Sequence, residues 1–184
     1  ARTALTYYDL PNAQLTFLGK SQNTTFRVET PTGDKFLLRL HIGIEAVGDD
    51  LHDIWREPSV IESELLWLNA IAHDTELTVP QPMQNRLGEW VTSFTSAESE
   101  SSISCSLLRW VEGEHLDGEP TAQQVRQLGM LMAQLHQHSS CWSLPSSFFR
   151  PTHDIEQIKS ATSQLGVLVE SGTISKDDYQ VFQK

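Results

Sequence analysis

The chain has 184 residues, of which 39% are hydrophobic and 20% charged, and its net charge is −11. That balance is globular rather than disordered. The acid excess and the absence of a Lys/Arg cluster argue against a nucleic-acid partner, which needs a basic face to displace counterions.

Ala1–Leu10 is a mixed stretch without the apolar core of a signal peptide, and no run of 18 apolar residues comes after it, so no membrane span is expected. Leu15–Leu18 is a short, mostly apolar run that ends at Gly19, followed by the turn-forming cluster Gly19-Lys20-Ser21-Gln22-Asn23. Thr24–Thr30 alternates, with Phe26 and Val28 on one face, as a half-buried strand does. Pro31-Thr32-Gly33-Asp34 is a tight-turn signal, and Lys35–Leu40 resumes as a strand. These pieces predict an antiparallel meander. His41–Glu57 is mixed and acidic and reads as a loop; the acids from Glu45 to Glu64 read as a solvated face.

Ser59, with Glu62 three residues on, matches a capping box. From there Val60, Ile61, Leu65, Leu66, Leu68 and Ile71 recur at helical spacing, and the helix is expected to stop near His73-Asp74. Val79-Pro80-Gln81-Pro82 is extended, because proline disfavours helix in the residue before it. Gly88–Phe94 and Ile103–Val111 read as two more strands around a Ser/Glu-rich hairpin loop at Ser96–Ser102, and Glu112–Pro120 is a turn region. Thr121 then caps a long amphipathic helix with Val125, Leu128, Met132 and Leu135 as its apolar positions. Gly129 and Ala133 leave room there for close packing by a neighbouring helix. Ser139–Pro151 is irregular, Asp154 is read as the start of a helix to Val169, and Ser175 as the start of another to Lys184. Strands in one block and helices in the next mean an α+β fold with segregated layers.

Certain short motifs sharpen this order. They are Phe17-Leu18-Gly19, Asn23-Thr24-Thr25-Phe26-Arg27-Val28, Phe36-Leu37-Leu38-Arg39-Leu40, Glu64-Leu65-Leu66-Trp67-Leu68 and Val79-Pro80-Gln81-Pro82. Arg109-Trp110-Val111-Glu112-Gly113 and the Leu128-Gly129…Leu131…Ala133…Leu135-His136 pattern come next. Taken together they resemble the aminoglycoside phosphotransferase/choline kinase family, over nearly the whole chain. The resemblance implies a protein-kinase-like N-lobe, a five-stranded antiparallel sheet plus one helix, over residues 1–108. It implies a hinge at 109–113 and the start of a helical C-lobe at 114–184. The family's His-Gly-Asp catalytic loop is not in this sequence, so the chain is expected to stop before it, and no catalytic residue is expected within it.

The implied function is transfer of the γ-phosphoryl group of ATP to a hydroxyl of a small molecule by the full-length protein. Mg²⁺ ligands would lie beyond residue 184, and the chain alone would be inactive. Arg39, late in the third strand, stands where kinases place the cation that contacts the phosphates, as Arg rather than the more usual Lys. Glu64 stands where the following helix supplies the carboxylate that holds that cation; Glu62 is its rival. Ser21 and Asn23 lie in the loop over the phosphates, which has only Gly19 of the usual glycine pattern. The Arg109 carbonyl and the Val111 N–H would hold adenine, with Val28 and Leu37 giving apolar contact to the ring.

Other chemistries find no footing. No Gly-x-Ser-x-Gly elbow, Walker A loop or dinucleotide fingerprint is present, and His136 and His138 have no third partner at metal-ligand spacing. Cys105 and Cys141 lack CxxC spacing and read as free thiols of a cytoplasmic protein. The competing reading is a non-catalytic nucleotide-binding or scaffold module. A protein kinase is a further rival, disfavoured by the weak glycine loop. The acceptor and the oligomeric state are not legible in the residues.

Overall fold

The structure, a computed structural model, describes residues 1–42, 54–95, 102–114 and 118–151, with Val169 and Ser175. The helices read from Asp154 to Val169 and from Ser175 to Lys184, and the loop at Ser96–Ser102 up to residue 101, lie outside the described residues. The chain divides into two compact units, Ala1–Arg150 and Pro151–Lys184. The first unit holds every strand and helix named below.

A short helix, α1 (Arg2–Thr6), precedes the meander β1 (Gln14–Lys20), β2 (Thr24–Glu29) and β3 (Lys35–Leu40). Helix α2 (Pro58–Asp74) comes next, then β4 (Pro82–Met83), β5 (Thr92–Thr95), β6 (Ser102–Arg109) and helix α3 (Ala122–Cys141). The strands form one antiparallel sheet in the order β1-β2-β3-β6, and the far edge of β6 is shared by β5 and β4. The sequence reading expected five strands. The sixth is the two-residue β4, where Pro82 and Met83 lie against Leu108 and Leu107. Proline at an edge forfeits no ladder donor that the sheet requires, so this extended segment adds to β6.

Register sorts the side chains into two layers, because alternate residues point to opposite faces. Phe26 pairs with Leu38 and Val28 with Phe36. With Leu40, Cys105 and Leu107 they form the core that α1 covers through Ala4 and Leu5. The sequence reading gave no element to that N-terminal stretch; one helical turn is too short to show a period. On the opposite face Leu37 lies against Leu108, and Arg39 against Ser106. Here α2 packs, burying Ile61 and Leu65 against Leu108, with Leu37, Leu68, Trp90 and Val91 around them. Each fully buried side chain of that size contributes roughly 1.5–3 kcal/mol.

The start of α2 differs from the capping box expected at Ser59 and Glu62. Its N-cap is Glu57, which makes no side-chain cap, and Pro58 takes the first helical position. The fixed φ of proline suits that position, and its missing N–H is one that the first turn leaves unpaired in any case. Ser59 therefore sits inside the helix, where its carbonyl accepts from the Ser63 hydroxyl at 2.8 Å. Helix α3 begins as expected: Thr121 accepts from the Gln124 N–H, and the Gln124 side chain accepts from the Thr121 N–H. Val125, Leu128, Met130 and Met132 of α3 are exposed among the described residues.

Candidate functional site

Two of the expected site residues, Arg39 and Glu64, are joined through their side chains. Odd-numbered residues of β3 face α2, so the Arg39 side chain rises beneath the helix. Arg39 Nη1 donates to Glu64 Oε1 at 2.8 Å. Glu64 lies between the buried Ser63 and the buried Leu65, which brings its carboxylate to the helix edge above the sheet. Glu62 is exposed and plays no part in this pair. The side chains of Arg39 and Glu64 keep 16% and 31% of their surface, so the pair is shielded without being sealed. Arg39 Nε and Nη2 are buried and have no hydrogen-bond partner among the described residues. Guanidinium donors left in that state are costly unless an anion meets them. The fork geometry of arginine matches phosphate oxygens.

Around Arg39 the sheet presents two cross-strand rows on the same face. One is Thr25, Arg39 and Ser106; the other is Arg27, Leu37 and Leu108. His41 continues that face, with Nε2 3.1 Å from the Ser106 hydroxyl. Burial first, and the nearby Arg39 charge second, lower the His41 pKa from 6.5 to about 3, so His41 is a neutral partner at physiological pH.

Val28 does not belong to this face. It is wholly buried in the opposite core with Phe36 and Leu38, so it cannot share a pocket wall with Leu37. The pairing with Phe26, visible in the alternation, already assigned Val28 to the core; the β2 residue beside Leu37 is Arg27. Arg27 Nε is also buried without a partner among the described residues. The sequence reading missed it because an apolar ring contact was sought and a cation occupies the position.

The loop between β1 and β2 is a tight turn closed by a Ser21 N–H to Asn23 carbonyl bond of 3.0 Å. Ser21 is exposed and Asn23 half-buried. At the other end of the sheet, the Arg109 N–H donates to the Gln81 carbonyl at 2.7 Å and the Trp110 N–H to the Lys35 carbonyl at 3.2 Å. Those two bonds fix where β6 runs out. Among the described residues no backbone group pairs with the Val111 N–H. Lys35 Nζ reaches Glu112 Oε1 at 2.6 Å. That hydrogen bond, with a second from Trp110, holds the Glu112 carboxyl below the usual range.

Among the described residues no group of three His, Cys, Asp or Glu could hold a metal ion, and no helix is long and apolar enough to cross a membrane. His138 instead joins two helices, with Nε2 3.0 Å from Asp74 Oδ2 at the end of α2. His136 is exposed on α3.

A strand cation held by a helix carboxylate, on an antiparallel sheet with a helix after it, is the arrangement of a kinase-like N-lobe. Residues 14–169 match the model of the phosphotransferase enzyme family, and the chain belongs to that family. Two solved structures are similar. One is the microcompartment-associated aminopropanol kinase, at 28% identity and a TM-score of 0.67 over 92% of this chain and 55% of that one. The other is the amicoumacin kinase hAmiN in complex with AMP-PNP, Ca²⁺ and Ami, at 18% identity and a TM-score of 0.70 over 88% and 46%. The chain thus spans about half the length of each. A search of curated proteins finds no match.

Proposed function

We propose that the full protein is an ATP-dependent phosphotransferase that moves the γ-phosphoryl group to a hydroxyl of a small molecule. The observation that carries the reading is Arg39, held at 2.8 Å by Glu64 with two guanidinium nitrogens unpartnered among the described residues. Phosphoryl transfer needs positioning and charge neutralisation more than covalent help. In this reading Arg39 grips the phosphates and the Ser21–Asn23 turn closes over them. The Arg109 carbonyl and the Val111 N–H take the adenine edge, and Leu37 lines the ring. Residues 1–108 then act as the N-lobe, 109–113 as the hinge and 114–184 as the opening of the C-lobe.

The acceptor oxygen attacks the γ-phosphorus, the bond to the bridging oxygen breaks, and ADP leaves. The acceptor proton passes to a base outside the described residues. No His-Gly-Asp stands in the sequence, so the 184-residue chain alone is expected to bind nucleotide weakly and not to turn over. The metal that accompanies ATP would be held elsewhere in the full protein. The free thiols Cys105 and Cys141 fit a reducing compartment such as the cytoplasm.

The test is phosphoryl transfer from ATP by the full protein to a panel of hydroxyl acceptors. Aminopropanol stands first in the panel because of the similar kinase. Transfer to one acceptor supports the proposal. Nucleotide binding without transfer to any acceptor favours a binding module, and no nucleotide binding overturns both.

A further inference from the structure

The Glu64 carboxylate has two oxygens, and Arg39 uses Oε1. Oε2 faces a second cation, Arg150 Nη1, at 3.8 Å. Arg150 stands at the end of the segment that comes after α3. Three further contacts dock that segment on α2 and the residues just before it, and one more stiffens the segment itself. Arg150 Nη1 donates to the Val60 carbonyl at 3.4 Å. Its guanidinium carbon lies 4.8 Å from the centre of the Trp55 ring. The preceding Phe149 N–H donates to the Ser63 hydroxyl at 2.8 Å. Further back, the Trp142 and Phe148 rings meet edge to face at 5.2 Å. Val60 lies three and four residues from Ser63 and Glu64, on one helix face, so this segment docks on the stretch of α2 that carries the carboxylate.

We infer that Arg150 is a positioning residue for the Arg39 phosphate grip, acting through Glu64; the inference rests on the nucleotide-binding reading above. Geometry and electrostatics both support it. With Oε1 on Arg39 and Oε2 turned toward Arg150, the carboxylate is drawn away from offering both oxygens to Arg39 as a bidentate pair would. Arg39 Nε and Nη2, without a partner among the described residues, are then left for an anion. Arg150 also shares the Glu64 charge, and partly buried charges are screened less than exposed ones, so the carboxylate offsets less of the Arg39 charge at the phosphates. The Arg150 limb is longer and more exposed than the Arg39 limb, with 34% of its side-chain surface open, which makes it the tuning limb of the two.

The experiment is a double-mutant cycle in the full protein. Arg150→Met, Glu64→Gln and the pair are compared with wild type by calorimetric ATP affinity in Mg²⁺, kcat and KM for ATP, and thermal melting. Arg150→Met should weaken ATP binding about tenfold, and in the Glu64→Gln background its effect should fall below about twofold, as coupled residues behave. Arg150→Lys should restore most of the affinity, because lysine keeps the positive charge toward Glu64. Should Arg150→Met melt below the assay temperature, Arg150→Gln, which keeps a donor for the Val60 carbonyl, carries the same test. Unchanged affinity in Arg150→Met, or an equal loss with and without Glu64, overturns the inference while leaving the nucleotide site standing. Failure of the wild type to bind ATP overturns the nucleotide reading, and this role with it.

Discussion

Arg39 on β3 and Glu64 on α2 are 25 residues apart in sequence and close to 2.8 Å in the fold. The strand sets the cation and the helix sets its holder, so the two ends of the pair have separable consequences. Arg39→Met should weaken ATP binding by roughly 10- to 100-fold, the worth of a charge-assisted hydrogen bond. Arg39→Lys should recover part of it, since lysine keeps the charge and loses the fork. Glu64→Gln should cost about 1–2 kcal/mol of stability, because it leaves a half-buried guanidinium without its counter-charge. Calorimetric titration with ATP and urea unfolding separate the two effects.

Val28 and Leu37 lie on opposite faces of the sheet, and that separates their mutants. Val28→Ala should cost about 2 kcal/mol through a core cavity and leave the ATP affinity of the folded protein unchanged. Leu37→Ser should weaken ATP binding, because its face carries Arg39. Loss of affinity in folded Val28→Ala would return Val28 to the nucleotide pocket.

Leu65 is fully buried against Ile61 and Leu108 and comes directly after Glu64. Leu65→Ala should cost roughly 2–5 kcal/mol. The cavity lies under the turn that carries the carboxylate, so ATP affinity should fall with stability. Chemical denaturation and nucleotide titration of the one variant test both. Retained affinity in a destabilised Leu65→Ala would show that α2 holds Glu64 in place without this contact.

His41 predicts an acid sensitivity. The unfolded imidazole takes up a proton near 6.5 and the folded one only near 3. Between those values the unfolded chain binds more protons, so stability is intact above pH 6.5 and falls as the pH drops. The slope is at most about 1.4 kcal/mol per pH unit from this one group. His41→Gln, which keeps a donor near Ser106, should flatten the decline seen in urea unfolding between pH 7 and pH 5.

The two helix starts should respond differently. Thr121→Ala removes a side-chain cap present at α3 and should cost about 1 kcal/mol. Ser59→Ala should cost less, because Ser59 lies inside α2 and caps nothing. Thermal melting of the two variants decides the order.

Much of the fold is legible from residue order. Alternation in Thr24–Thr30 and Lys35–Leu40, the Gly33 turn and the Thr121 cap are local signals, and local geometry obeys them. The placement of Arg39 and Glu64 is readable because strand and helix periods are fixed, and a family motif supplies their offset. Period alone does not tell which face of the sheet is the functional one, and so the sequence reading makes Val28 a wall of a pocket that it lies behind. The length of α1 hides it, and proline at its first position displaces the start of α2 from the better-looking serine.

What the residues determined by themselves is the order of β1, β2, β3, α2, β5, β6 and α3, the acidic balance and the family, each legible along one chain. What the tertiary structure decided is which charges meet. Neither the Arg39 nitrogens that lack a partner among the described residues nor the approach of Arg150 to Glu64 carries a local signal, because both depend on β3, α2 and the segment after α3 being folded onto one another. A hydrogen bond is set by ångströms in space, and sequence separation does not fix them.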